Sequence, residues 1–483
     1  MTHVGEHAIV LGASLAGLAA AAALAERFHR VTIIDRDVLP QSGEQRDGVP
    51  QGRHAHLLLP AGGAALSDLL PGIGDDLRRR DAHFIDATEF RFRIADGCLL
   101  VDDPGLEILG ATRPLLEAVV RERVQALAGV RFREEQDAVG LSTTPDRSQV
   151  TGVRLLSRDP NAEDTVAGDL VVDATGRSSR TPRWVTDLGY VAPDQERLQV
   201  GVHYTTRLFR RQPEDLDGCR HVAVTVPPGG RRGGLLLAVE GDRWLVTLVG
   251  VLGERPPADL DGFVDYAGTL WASDLHEVAA SAQPIGDAST GGFPSYLRRR
   301  YDRLRRFPGR FVVTGDAVCS FSPVYAQGMT VAISEARVLG QVLDRHGLDR
   351  VGQRFFQRTK RTVDEAWMMS TGADLGHPGV EGPRPVRWRL TNAYVNRLLR
   401  VANRDPVVAK TFLEVSGMVS PPQHLMRPRT AWRVFTGSRS PGRTGGNPEP
   451  EASRSSRWPA DRLAAGRVPG PDRRSNEPHL GST

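Results

Sequence analysis

Gly12-Ala13-Ser14-Leu15-Ala16-Gly17 has the spacing of a glycine fingerprint with serine in the middle slot. Gly12 allows a tight turn, Ser14 is small enough for the backbone to approach a pyrophosphate, and Gly17 lets a helix pack close to a strand. The N–H groups that open such a helix, with the positive end of its dipole behind them, suit phosphate. Asp35 stands 18 residues after Gly17, where a carboxylate can accept both hydroxyls of a ribose, and Arg36 follows it as a further nucleotide contact. Far downstream, Arg310 to Met329 reads RFVVTGDAVCSFSPVYAQGM. Gly315-Asp316 ends a strand there, and Asp316 is placed to accept a hydroxyl from a polyol chain. Gly328 and Met329 open a helix whose N–H groups would stabilise negative charge, such as that on the N1–C2 edge of a reduced flavin. The first segment alone does not separate NAD from FAD; the second favours FAD.

These residues need particular elements to hold them. His7 to Gly12 and Val31 to Asp35 read as buried strands, with an Ala- and Leu-rich helix over Leu15 to Phe28 between them. Strand, turn, helix and strand in that order imply a parallel sheet. Arg46 to Arg53 reads as loop, Ala61 to Leu70 as a short helix, Phe84 to Ile108 as strands, and Arg113 to Leu127 carries a helical apolar stripe. Short β-branched runs separated by Pro and Gly turns between Leu198 and Val251 imply a mostly antiparallel sheet. Helices are expected over Met329 to Leu343, Val351 to Met369, Val386 to Val401 and Val407 to Val415. The fold class is therefore α/β: a Rossmann-type FAD-binding domain with an inserted, mostly antiparallel β-sheet substrate domain and C-terminal helices. The expected division is a discontinuous FAD-binding domain (1–86, 111–180, 300–345), a substrate domain (87–110, 181–299), a helical region (346–436) and a disordered tail (437–483).

At the two glycine-bearing segments the sequence resembles the FAD-dependent monooxygenases of the para-hydroxybenzoate hydroxylase fold, from about His7 to Leu343. The resemblance implies that the first segment binds the ADP half of FAD. It places Gly315-Asp316 on the ribityl chain and the loop through Gly328 against the ring. It further implies a pyrophosphate- or ring-side contact for Arg53, another polar contact for Arg113, and a backbone bracket on the adenine from Val139. Chemistry would run through a flavin C4a-hydroperoxide, with no catalytic side chain identified. One departure concerns Asp173-Ala174-Thr175-Gly176-Arg177-Ser178-Ser179-Arg180, where Thr175 stands in place of the Asp that serves FAD and NADPH in such enzymes. NADPH or NADH would thus deliver electrons directly or through a separate flavin reductase. The stretches RDGVPQGRHAHLLL and GDAVCSFSPVYAQGM look most like actinobacterial epoxidases of polyether-ionophore biosynthesis, distant relatives of squalene epoxidase. That implies epoxidation of alkenes in an apolar polyketide or polyene, with O2 as co-substrate. Aromatic hydroxylation, flavin-dependent dehydrogenation or reduction, and a non-catalytic nucleotide-binding role are the alternatives.

Composition narrows the field. Of 483 residues, 40% are hydrophobic and 25% charged, which excludes general disorder. Sixty of the 62 basic residues are Arg, a bias read first as that of a GC-rich genome. From Gly437 onward the net charge is +3 and before it +1, so no clustered basic face points to nucleic acid. The longest apolar run, Leu15 to Leu24, is too short for an integral membrane segment, no secretion signal is read, and a cytoplasmic location is expected. Three scattered cysteines imply neither a disulfide framework nor zinc. His54 and His56 lack the companions of a metal site. Arg298-Arg299-Arg300, with Arg303, Arg305 and Arg306, reads as a solvated helix face or loop. Phe355, Phe356, Trp367, Met368 and Met369 read as core packing. Arg387, Arg389, Arg397 and Arg400 lie on an amphipathic helix that packs on the body or touches a membrane surface.

Overall fold

The computed structural model describes residues 3–40, 43–46, 48–102, 105–157 and 163–437. The expected disordered tail lies outside these apart from Gly437. Among the described residues the strands form four sheets. The first is parallel and five-stranded, in the order Phe311–Val313, Leu170–Asp173, Gly5–Leu11, Phe28–Ile34, Val130–Arg133. Phe311–Val313, Leu170–Asp173 and the last five residues of Gly5–Leu11 are buried throughout because both faces are covered, so no alternation is needed there. The helix Leu15–Ala25 is buried along nearly its whole length, between this sheet and the helix Gln327–His346. Alanine suits that sandwich: it favours helix and leaves room for close approach on two sides.

A second sheet carries eight strands, with Pro284–Arg299 and Gln195–Arg210 side by side, each 16 residues long. Bulges between Gln199 and Val202 and between Thr206 and Leu208 bend this pair. All neighbours are antiparallel except His221–Val224 beside Phe90–Ile94, which run parallel. One face packs on helices Leu260–Gly268 and Asp274–Ser281 through Phe209, Trp244, Val246 and Phe263. A three-stranded meander (Gln136–Thr143, Val150–Ser157, Glu163–Ala167) flanks the parallel sheet, and His83–Asp86 pairs with Glu107–Gly110. Four helices follow: Val351–Leu375, Val386–Ala402, Pro406–Ser416 and Pro428–Thr436. The last three share a small core, through Leu398, Ala402, Val408 and Val434, with Ala87, Leu99 and the strand Phe90–Ile94 at the edge of the eight-stranded sheet.

Half of the arginine run departs from the expected solvated surface: Arg303, Arg305 and Arg306 are exposed, but Arg298 to Arg300 are not. Arg298, Arg299 and Arg300 are all buried at the end of the strand Pro284–Arg299. Strand alternation sends them to opposite sides, and both sides are covered. Arg298 pairs with Asp364 of the helix Val351–Leu375. Arg300 pairs with Asp302 at 2.7 Å and Glu196 at 3.0 Å. Arg299 donates to the carbonyls of Ala317 (2.9 Å) and Arg177 (2.7 Å). Phe355 and Phe356 are core as expected, whereas Met368 is 51% exposed on the outer side of its helix.

Candidate functional site

At the end of the strand Gly5–Leu11 the chain turns at Gly12, whose φ of +98° suits glycine. A Cβ there would stand 2.7 Å from the Ala174 carbonyl oxygen, and one on Gly17 would stand 1.8 Å from the Gly12 carbonyl oxygen. Both positions therefore exclude any side chain. Asp35 accepts from the N–H of Ala13 at 2.6 Å and of Asp37 at 2.9 Å, which binds the second strand end to the fingerprint turn. Ser14 Oγ donates to Glu117 at 2.8 Å and accepts from Arg113 at 2.9 Å. Arg113 is the first residue of the helix Arg113–Gln125, capped by Thr112, and Glu117 lies one turn on. Burial pushes the Glu117 pKa up, but Arg113, Arg46 and Ser14 outweigh it and hold the carboxyl below its ordinary value.

Arg46 completes this cluster and was not singled out by the sequence reading. Its guanidinium is buried, 3.5 Å from Asp35 and 3.8 Å from Glu117, and its Nε has no hydrogen-bond partner. Arg53, the expected cationic contact, is exposed. Arg36 is also exposed, 3.9 Å from Asp37. Val139 occupies a bulge of the strand Gln136–Thr143, which starts where Gln136 N–H bonds the Asp35 carbonyl at 3.0 Å. The signal for Arg46 was present: it opens the Gly- and Pro-containing loop that returns the chain to the fingerprint.

The downstream segment comes to the same place. Gly315 has φ +64°, and a Cβ on it would stand 2.9 Å from Cβ of Ala16, inside the fingerprint. Glu335, buried in the helix Gln327–His346, accepts from Thr314 Oγ1 (2.8 Å) and Gly315 N–H (2.7 Å). Burial raises the Glu335 pKa to about 7, against those two hydrogen bonds and with some repulsion from Asp316. Asp316 lies deep between the elements, yet its carboxylate stays open to solvent through the cleft. Its pKa is raised by burial; Arg113 and then Arg177 oppose the rise. The Asp316 carboxylate is thus within electrostatic reach of the arginine that binds Ser14. Gly328 faces it, with an added Cβ 3.7 Å from Asp316 Oδ1. Gly328 and Met329 are the second and third residues of their helix, so their N–H groups lack intrahelical acceptors. Of the expected site residues, Gly12, Ser14, Gly17, Asp35, Arg113, Gly315, Asp316, Gly328 and Met329 converge, while Arg36, Arg53 and Val139 stand at the margin.

The turn at 173–181 closes inward. The buried Asp173 carboxylate accepts from Thr175 N–H (2.9 Å), Thr175 Oγ1 (2.6 Å), Ser179 Oγ (2.5 Å) and Thr181 Oγ1. Thr175 is thereby directed at Asp173. Arg299 ties this turn to the one at 315–317 through one carbonyl of each. Beyond them, Tyr325 and Tyr296 both donate to Asp374 at 2.6 Å, one hydroxyl to each carboxylate oxygen. The unexpected strand Pro284–Arg299 and the helix Val351–Leu375, expected only as far as Met369, thus meet at the loop that precedes Gln327.

The long antiparallel strands present a wall to this cleft. His54 Nδ1 is hydrogen-bonded to Thr206 Oγ1 at 2.9 Å, and its ring meets that of Tyr204 edge to face at 4.4 Å. Gly291 allows both rings to approach, since a Cβ there would meet Tyr204 at 2.4 Å and His54 Nε2 at 2.7 Å. Burial, then the charge of Arg53, lowers the His54 pKa to about 4. Burial, then Arg113, lowers that of His56 to about 3. Both imidazoles are neutral at pH 7.

The lining suits a long ligand with a diphosphate near one end. Arg46 Nε and Arg177 Nη1 are buried donors without hydrogen-bond partners, the first 3.8 Å from Glu117 and the second on a side chain within electrostatic reach of Asp316. Ser322 Oγ and Gln327 Oε1 are buried and unpartnered around the loop between them. FAD has acceptors and hydroxyls for such a set. Comparison with known proteins agrees. The chain is 32% identical to Protein Rv3254 of Mycobacterium tuberculosis (strain ATCC 25618 / H37Rv), covering 84% of this chain and 88% of that protein. It is 27% identical to kynurenine 3-monooxygenase of Salinispora arenicola (strain CNS-205), covering 71% and 73%. Its fold matches the crystal structure of p-nitrophenol 4-monooxygenase PnpA from Pseudomonas putida DLL-E4 with a TM-score of 0.59 and 16% identity, over 87% of this chain and all of that one. Residues 6–347, which hold both glycine-bearing segments, match the FAD binding domain, and the chain belongs to that family.

Proposed function

We propose that the chain is a flavin-dependent monooxygenase that places one atom of O2 into an apolar organic substrate, by epoxidation of alkenes in a polyketide or polyene chain. The observation that carries this reading is the packing of Gly315 against Ala16, which sets Asp316 and the Gly328 helix end opposite the fingerprint. In this reading Gly12, Ser14, Gly17 and Asp35 hold the ADP half of FAD, with Arg36 and Val139 at its rim. Arg46 and Arg113 neutralise the diphosphate, Asp316 accepts a ribityl hydroxyl, and the N–H groups of Gly328 and Met329 meet the electron-rich edge of the ring. Arg53 stands at the mouth. When bound and reduced, FAD supplies the activation of O2.

The chain's own part is to bind, orient and keep water away. The pair of Tyr204 and neutral His54 offers a substrate bulk and hydrogen bonds without net charge, which supports an uncharged, largely apolar molecule. Electrons originate from NADPH or NADH. The inward hydrogen bonding of Thr175 supports their delivery by a separate flavin reductase. Aromatic hydroxylation is the second reading, favoured by the kynurenine 3-monooxygenase relative. The test is turnover of candidate polyenes under 18O2, with FAD and a reductase, read by mass spectrometry. An epoxide carrying the heavy atom is expected. Oxygen derived from water would overturn monooxygenation, and labelled phenols with inert polyenes would establish the second reading.

A further inference from the structure

The outer surface of the C-terminal cap differs in kind from the rest of the molecule. Leu390, Met426, Trp432 and Phe435 are 71%, 65%, 70% and 63% exposed. They are neighbours. Tyr394, one turn after Leu390, donates its hydroxyl to the Leu425 carbonyl at 2.6 Å, and its ring lies 5.9 Å from that of Phe435. Trp432 is one turn before Phe435 on the helix Pro428–Thr436. Arg397 donates to the carbonyls of Val434 and Phe435, both at 2.8 Å, and so fixes the two helices side by side. The result is one apolar patch with two aromatic rings standing proud of it.

Charge is segregated in the same way. From Arg384 to Gly437 there are ten basic and two acidic residues, a net of +8; the 383 residues before them hold 44 basic and 51 acidic, a net of −7. One of the two acids, Asp405, is buried against Arg433. Arg389, Arg427 and Arg429, adjacent in sequence to Leu390 and Met426 or on the Trp432 helix, are exposed, as is Arg400 further along. A basic, aromatic-tipped cap on a body of opposite sign is oriented by a negatively charged plane.

We propose that this cap seats on an anionic bilayer surface, with Trp432 and Phe435 sunk to the headgroup boundary and Arg427 and Arg429 on lipid phosphates. Tryptophan and phenylalanine beside arginines on a short helix have the chemistry of interfacial binding. Other occupants meet the patch less well. A second copy would bring a cap of the same sign against it in a two-fold contact. The chain after Gly437 carries a net +3 and is repelled as well. Seating on the surface needs no spanning segment, and no described helix is long and apolar enough to cross a membrane.

The test floats the full-length, FAD-loaded protein with vesicles of phosphatidylglycerol or of phosphatidylcholine alone. Co-flotation with the anionic vesicles, weakened by salt, is expected. Trp432→Ser with Phe435→Ser should weaken it about tenfold or more, as should Arg427→Gln with Arg429→Gln. Flavin absorbance and melting temperature of each variant should match the parent, because the altered side chains are exposed. Four outcomes overturn the proposal: absence of binding to anionic vesicles; binding that neither double variant weakens; a dimer in solution that the Trp432/Phe435 variant dissociates; or binding seen only after residues 438–483 are removed.

Discussion

Gly315→Ala tests whether the two remote segments depend on each other. The substitution acts twice. It places a side chain at φ +64°, which costs an L-residue about 1–2 kcal/mol. It also sets a Cβ 2.9 Å from that of Ala16, closer than real Cβ atoms approach, and overpacking of this kind costs about 1–3 kcal/mol. The strain falls on the residue before Asp316, so the FAD dissociation constant should rise by roughly tenfold or more. A partner change separates the two contributions. Ala16→Gly removes the facing methyl at up to about 1 kcal/mol of helix propensity. The double variant should therefore bind FAD better than Gly315→Ala alone, while retaining the conformational penalty. Flavin fluorescence titration of the four proteins closes a double-mutant cycle. Additive effects, with no rescue, would refute the contact and with it the convergence that supports the functional reading.

Other predictions follow from the same site. Asp316→Ala should lower FAD retention on gel filtration by about tenfold to a hundredfold, the worth of a charged hydrogen bond, with the apoprotein melting temperature unchanged. Glu335, ordinarily near 4.5, is raised to about 7 in the folded chain, so folding favours its protonated form. Its contribution is full below about pH 4.5, falls as pH rises toward 7, and is gone above that. Glu335→Gln should flatten that decline in thermal melts recorded between those limits. Ala326 adopts φ +54°, a left-handed conformation ahead of the helix Gln327–His346. Ala326→Gly should stabilise the chain by about 0.5–1 kcal/mol in denaturant titration, the relief of strain less the added freedom of the unfolded chain.

The parallel sheet was legible because buried strands and an alanine-rich helix leave continuous apolar runs, and because Gly12 and Gly17 have a steric reason to be glycine. The strand Pro284–Arg299 was not legible. Its two prolines, three glycines and two serines read as loop, and it is a strand because Gln195–Arg210 pairs along most of its length. The same pairing buried Arg298, Arg299 and Arg300, whose partners Asp364, Glu196, Ala317 and Arg177 are brought in by tertiary structure alone. At the site, residues within a motif were found, and those acting through a distant partner were not. Glu117 and Arg46 are separated by 71 positions yet share one cluster, and Asp374 meets Tyr296 and Tyr325 from across the fold. Thr175 stands out in the sequence, but its engagement by Asp173 needed coordinates.

The bridge made by Asp374 sets a lower bound on what can be cut out of this protein. The family match ends at residue 347, but the carboxylate that receives Tyr296 and Tyr325 lies 27 positions further on, near the end of the helix Val351–Leu375. A fragment trimmed at the homology boundary would leave two buried phenols without their acceptor and strip the cover from Arg298. Any self-standing flavin module carved from this chain must therefore run through Leu375, and grafts or fusions are best joined beyond it.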